Sequence, residues 1–203
     1  LPGRQPVRQW RRAQAQPDHQ TKPSTDKETG AHHMQLSNLT GKTVAIMVAS
    51  GFDEDTFIAI QRAMMSVNAK LRVISRDAGL TNAWNGSSWG MSYPVDGTLS
   101  TTLAVDYDAV IVPKGERHVA TLSGEAHAKR LLRAFTREDM PMLLLDDAQS
   151  LLELVDIAAP AAEEGATHPV AGGLVTGTAE DLNAGLEALN RVMIREDGES
   201  VAA

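Results

Sequence analysis

Short apolar runs separated by helix-period stretches set the rhythm of the chain. Thr43–Val48, Leu71–Ser75, Tyr107–Val112 and Met142–Leu145 are continuous apolar segments rich in β-branched or aliphatic residues. Such runs suit strands buried on both faces of a parallel sheet, where no polar alternation is needed. Between the first two, Phe57, Ile60 and Met64 form one helical stripe, with Ile58 and Met65 beside it. Asp53, Glu54 and Asp55 precede that stripe and suit the positive end of a helix dipole. The pattern reads β-α-β, with a right-handed crossover. Ser123 to Arg137 repeats the helical period with Ala128, Leu131, Leu132 and Phe135 inward. A helix over Gln149–Val155 is expected directly after Met142–Leu145. Thr178 is expected to cap a last helix with Leu182, Leu186, Leu189 and Met193 on its buried face and Glu180 and Asp181 in its first turn. The predicted architecture is α/β: a flavodoxin-like three-layer α/β/α sandwich around a mostly parallel sheet.

Gly79 to Leu103 departs from this rhythm. Asn85-Gly86 and Asp96-Gly97 are turn signals, and Trp84, Trp89, Met91 and Tyr93 lie between them. Short antiparallel strands appended to the sheet are expected, with the aromatics covering an exposed sheet face rather than lining a ligand site. Residues 156–177 are rich in Gly and Pro, with weak strands expected at Leu154–Ala158 and Gly173–Thr176. Residues 1–38 have almost no apolar periodicity, and a disordered basic and polar arm or linker is expected there. Arg4, Arg8, Arg11 and Arg12 surround Trp10; a solvated linker is favoured over an arm docked on an acidic partner. The chain opens on Leu1, so it reads equally as a fragment, a processed product or a linker-bearing domain, with Met34 a plausible native start. The ordered domain is expected over 39–196, with a frayed tail at 197–203.

Charge sharpens the division. Residues 1–38 hold six Lys/Arg and three Asp/Glu, +3, whereas the remainder holds 13 and 23, −10. An acidic body argues against a nucleic-acid partner. With no cysteine among 203 residues, disulfides, thiolate metal sites and cysteine nucleophiles are all excluded, which fits a reducing, cytoplasmic setting. No apolar run reaches the length of a membrane span. No cofactor is expected.

The candidate chemistry gathers at strand ends, where ligands bind in open α/β sheets. Met142–Leu145 runs into Asp146 and Asp147. Two carboxylates held close push one pKa up and suit acid–base work, with Glu54 or Asp53 as a third carboxylate. The plainer expectation is that Asp147 caps its own helix and Asp146 faces solvent. His118 lies at a suggestive distance for a base toward this elbow, though a polar surface role is favoured, as for His168. Lys114 and Gly115, with Asp53, are the candidate ligand-binding residues, a weak anion-site pattern. No metal site is expected; His32-His33 is at most an adventitious scavenger.

The order of elements is similar to the ThiJ/PfpI family of the class I glutamine amidotransferase-like superfamily, over roughly Thr43 to Arg195. The run Val105–Pro113 and the elbow Pro141–Leu152 carry the resemblance. Family enzymes read Cys-His-Gly at the elbow; here Asp146, Asp147 and Ala148 stand there, and Pro113-Lys114-Gly115 replaces Pro-Gly-Gly. The family's acidic residue after the first strand maps to the Asp53–Asp55 neighbourhood. The departures resemble the C-terminal domain of large-subunit catalases, as do Ile58–Met64, Glu163-Glu164-Gly165 and the Leu/Met-rich last helix. That resemblance implies an appendage without heme and without the family nucleophile.

Three functions remain open. One is a non-catalytic domain for stability, assembly or a chaperone-like role. The second is a hydrolase or lyase using the carboxylate cluster, and the third a small-molecule-binding regulatory domain. A homo-oligomer, or attachment to a larger chain, is expected.

Overall fold

The computed structural model describes residues 36–161 and 168–200, with side chains to 195, all within the unit Met34–Ala203. The arm to residue 35 with Trp10 and His32-His33, the Glu163-Glu164-Gly165 segment and residues 201–203 lie outside the described residues.

The strands are β1 (Thr43–Val48), β2 (Phe52–Asp53), β3 (Lys70–Ser75), β4 (Leu80–Trp84), β5 (Trp89–Pro94), β6 (Gly97–Thr98), β7 (Ala109–Val112), β8 (Met142–Leu145), β9 (Val170–Ala171) and β10 (Leu174–Gly177). The α-helices are α1 (Glu54–Ser66), α2 (Glu116–Ser123), α3 (Ala126–Arg137) and α4 (Leu182–Ser200). Seven strands form one sheet in the order β6-β3-β1-β7-β8-β10-β9, parallel except for the edge strand β9. Register places Val73, Ile46, Ile111, Leu143 and Val175 side by side across it. That row faces α1 and α4 in one core. The next residues along, among them Ile74, Met47, Val112 and Leu144, face α2 and α3 in a second core. The run-like hydrophobicity of the strands follows from this two-sided burial. Among the described residues, no helix is long and apolar enough to cross a membrane.

Several elements differ from the sequence expectation. Tyr107 and Asp108 precede β7 rather than forming it, because Ala104–Asp106 is a 3-10 turn and Asp108 accepts the Thr43 amide. The helix expected over Ser123–Arg137 begins only at Ala126, where the Glu125 side chain caps α3; Ser123 instead ends α2, a helix the sequence reading did not expect, with Gly124 as its cap. The elbow segment Asp146–Val155 is a 3-10 helix starting at the first carboxylate, and no strand forms over Leu154–Ala158. β4 and β5 pair antiparallel, but in a separate three-stranded sheet with β2 rather than on the main sheet. α4 starts at Leu182, so Glu180 and Asp181 precede it; Thr178 Oγ1 still accepts the Asp181 amide, at 3.4 Å. It continues to Ser200, past Glu196, where fraying was expected.

The entry of the chain is also fixed. Leu36 packs against the core, and Asn190 on α4 holds Ser37 from both sides: its Oδ1 accepts the Ser37 amide and its Nδ2 donates to the Ser37 carbonyl, both at 3.0 Å. Residues 36–38 thus belong with the domain rather than with the arm.

Candidate functional site

After β1 the chain passes to α1 on one face of the sheet; after β7 it passes to α2 on the other. β1 and β7 are neighbours, so a crevice opens between their carboxyl ends. Gly51 and Gly115 line it back to back. Both have positive φ, and a Cβ on Gly115 would stand 2.8 Å from the Gly51 carbonyl oxygen. Only glycine permits so close a crossing with that backbone. A cleft of about 240 Å³ results, lined by Gly51, Asp53, Trp84, Lys114, Gly115 and Asp147 among others.

The structure brings some of the candidate residues together and separates others. Asp53, Lys114, Gly115 and Asp147 share the cleft. Asp53 caps α1, its Oδ1 accepting the Thr56 amide at 2.9 Å. Lys114 is half-buried, and its ammonium makes no hydrogen bond or ion pair among the described residues. Glu54 turns away to the hairpin, where Oε1 accepts the Met91 amide at 2.9 Å and the Tyr93 hydroxyl at 3.1 Å. Burial, then this hydrogen bond, pushes the Tyr93 phenol up to about 12.

Neither elbow carboxylate sits as the plainer sequence expectation has it. Asp147 does not cap its own helix. Its Oδ1 and Oδ2 accept the Gly115 amide across the crevice, at 3.0 and 3.3 Å. Asp146 does not simply face solvent. It is half-buried, and its Oδ2 accepts the Ala179 amide at 2.9 Å on the other side of β8. Its backbone adopts φ 49°, the left-handed region that Asp tolerates better than most residues. Gln149 Nε2 donates to the Gly177 carbonyl at 2.9 Å. The elbow is therefore stitched to the ends of both flanking strands. The cause is position: the cap of this helix is Leu145, so Asp146 and Asp147 stand inside its first turn, past the place from which a side chain caps its own amides.

Neither histidine is surface. His118 is fully buried beside Gly115, with Nε2 2.7 Å from the Pro113 carbonyl oxygen, so that nitrogen carries the proton. Burial pushes it down to about 4, opposed by the bond to Pro113 and by nearby Asp147. It is neutral at pH 7, and no solvent-exposed face turns toward the elbow. His168 is buried too, in a slot left by Gly177 and Gly185, with Nδ1 3.3 Å from the Thr176 carbonyl oxygen.

Arg117 was not foreseen. Its guanidinium lies 4.1 Å from the Trp84 ring centroid and 5.9 Å from that of Trp89, and the two indoles meet edge to face. The second residue of α2 thus clamps the hairpin over the crevice. The Trp and Gly positions hinted at this, but the cation comes from an element not read from the sequence. Among the described residues, no group of three or more His, Asp or Glu is placed to hold a metal ion.

With this geometry in place, the comparisons with known proteins are specific about fold. Residues 40–167 match the family described as the C-terminal domain found in long catalases. No curated protein matches the sequence. Among solved structures, a ThiJ/PfpI domain protein from Brachyspira murdochii superposes with TM-score 0.66 at 17% identity, covering 77% of this chain and 98% of that one. A two-domain protein from Anabaena variabilis with DJ-1/ThiJ/PfpI-like and ferritin-like domains gives 0.65 at 16%, covering 74% of this chain and 50% of that one. A mutant of a DJ-1 superfamily protein from Salmonella typhimurium gives 0.61 at 17%, covering 79% and 98%.

Proposed function

Because this chain belongs to the family of C-terminal domains found in long catalases, we propose that it is a non-catalytic module that stabilises or helps assemble the larger protein carrying it, in the cytoplasm, with a chaperone-like holding capacity. One observation carries the reading. Backbone amides at strand ends are the donors that would hold an anion or an oxyanion in an acyl-transfer site, and here the protein's own carboxylates fill them. Asp147 closes the Gly115 amide and Asp146 closes the Ala179 amide. A carboxylate fixed in this way is a poor nucleophile and has no activating base beside it, since His118 is sealed and neutral. The module joined to a second domain in the Anabaena protein supports attachment to a larger chain.

A second reading keeps one foothold. Lys114 and the wall of Trp84 leave the cleft open to a ligand of few heavy atoms; about 240 Å³ lies below the usual range of roughly 300–1,000 Å³ for small-molecule sites.

Light scattering of a heat-labile reporter protein tests the holding role. Equimolar chain is expected to suppress aggregation equally in wild type and in Asp146→Asn. No suppression by either protein contradicts the holding role.

A further inference from the structure

The exposed face of α3 is electrostatically unlike the rest of residues 39–203. Ala126–Arg137 carries four cations, Lys129, Arg130, Arg133 and Arg137, and no carboxylate. The other residues of 39–203 carry nine Lys/Arg against 23 Asp/Glu, −14. At 100° per residue the four cations fall within one quarter-turn or so of the helix, opposite the buried Ala128, Leu131, Leu132 and Phe135. Between them, over Ala126 and Ala134, lies a surface groove of about 820 Å³.

This arrangement works against the helix that carries it. Lys129 and Arg133, and again Arg133 and Arg137, are like charges at i,i+4, which destabilises a helix. Nearby carboxylates give little relief. Arg137 reaches Glu138 at 2.7 Å and Arg133 reaches Asp156 at 3.6 Å, both in exposed pairs of the weak kind. Lys129 has no ion pair among the described residues. Arg130 alone has an internal role: its Nη2 donates to the Leu99 and Thr102 carbonyls at 2.9 and 2.8 Å, binding α3 to the loop before the Ala104–Asp106 turn. That turn packs on α3 and exposes Leu103 and Val105, at 52% and 77%. Bare apolar side chains thus stand on the turn beside the cation-bearing helix.

We propose that the outer face of α3, with Leu103 and Val105 at its margin, is a docking surface for an acidic protein segment that also offers apolar side chains. Charge complementarity selects the partner: a locally repulsive cluster of cations on an otherwise acidic body is relieved by carboxylates from outside. Nucleic acid fits less well. Its dense phosphate charge would meet the surrounding −14, and phosphates offer nothing to Leu103 and Val105.

The test uses the full chain and labelled probes: a peptide of alternating Glu and Leu, a Glu-only peptide and a short DNA duplex, followed by fluorescence anisotropy. Wild type should bind the Glu/Leu peptide, less tightly as salt rises, and R133E/R137E should weaken it by about tenfold or more. That variant should still melt cooperatively: it turns the repulsion between Lys129 and position 133 into attraction, while the repulsion between positions 133 and 137 persists with its sign reversed. K129Q/R133Q, which deletes charge without reversing it, should weaken binding in the same direction. L103S/V105S should weaken the Glu/Leu peptide and leave the Glu-only peptide unchanged. Absence of binding, binding indifferent to both charge variants, tighter binding of the duplex, or self-association abolished by R133E/R137E would each overturn the proposal.

Discussion

Asp146 and Asp147 are adjacent in sequence yet serve opposite sides of β8, and single substitutions separate their roles. Asp147→Ala leaves the half-buried Gly115 amide without its charged acceptor, and a cost of about 1–3 kcal/mol is expected. Asp147→Asn keeps an oxygen acceptor and should lose less. Asp146→Ala is not neutral, as it would be for a solvent-facing side chain. It loses the Ala179 bond and places alanine at φ 49°, for about 2 kcal/mol in all. Urea melts of the three variants check the order; an unchanged midpoint for Asp147→Ala would contradict the bridge. His118 sets a pH dependence. Its folded pKa, about 4, lies below the usual unfolded value of about 6.5. The unfolded chain therefore takes up the proton first. The stabilisation is complete above pH ~6.5, erodes as pH falls, and is gone by about pH 4, a change of roughly 3 kcal/mol. His118→Asn should flatten stability between those limits relative to wild type, and parallel curves would contradict this. The residue types at these positions were legible in the sequence, but their partners were not. Asp147 reaches Gly115 and Asp146 reaches Ala179 through strand adjacency, which no local pattern encodes. Likewise, a histidine three residues into a helix gives no local sign that a strand-end carbonyl awaits it.

At the scale of elements, hydrophobic runs marked β1, β3, β7 and β8 because each is buried on both faces. Polar and glycine-containing pieces were harder. α2 is eight residues long with three buried positions, too short for a periodic signal, and Gly124 separates it from α3 by a break that reads as a tolerable helix residue. β9 and β6 are two residues each and exist only through their neighbours. The elbow's helical period was visible, but that period does not tell the 3-10 helix found over Asp146–Val155 from an α-helix. The entry segment yields a prediction. Leu39 is buried and its amide donates to the Val67 carbonyl at 2.7 Å, while Asn190 grips Ser37. A chain beginning at Met34 should melt with wild type. One beginning at Gly41 should lose about 2–4 kcal/mol with Leu39 and the Ser37 grip. Asn190→Ala should lose about 1–2 kcal/mol alone. Equal melting temperatures for all three would show that the entry does not contribute.

At the scale of the whole domain, the α/β sandwich opens a crevice at the carboxyl ends of β1 and β7. The glycines that open the crevice, Gly51 and Gly115, are in place, and so is the left-handed elbow. The elbow carboxylates are engaged with the Gly115 and Ala179 amides, and His118 is buried. Fold and departure from the ThiJ/PfpI pattern were both readable from the chain, because the strand order is written in its hydrophobic runs and the elbow in three consecutive residues. How Asp146 and Asp147 are held became visible only once the strands were placed side by side. Turnover by the intact purified chain is the most direct test, with dicarbonyls, peptides and anilides compared between wild type and Asp146→Asn. The account predicts rates indistinguishable from background in both proteins. Turnover in wild type that vanishes in Asp146→Asn, with the melting temperature unchanged, would contradict it.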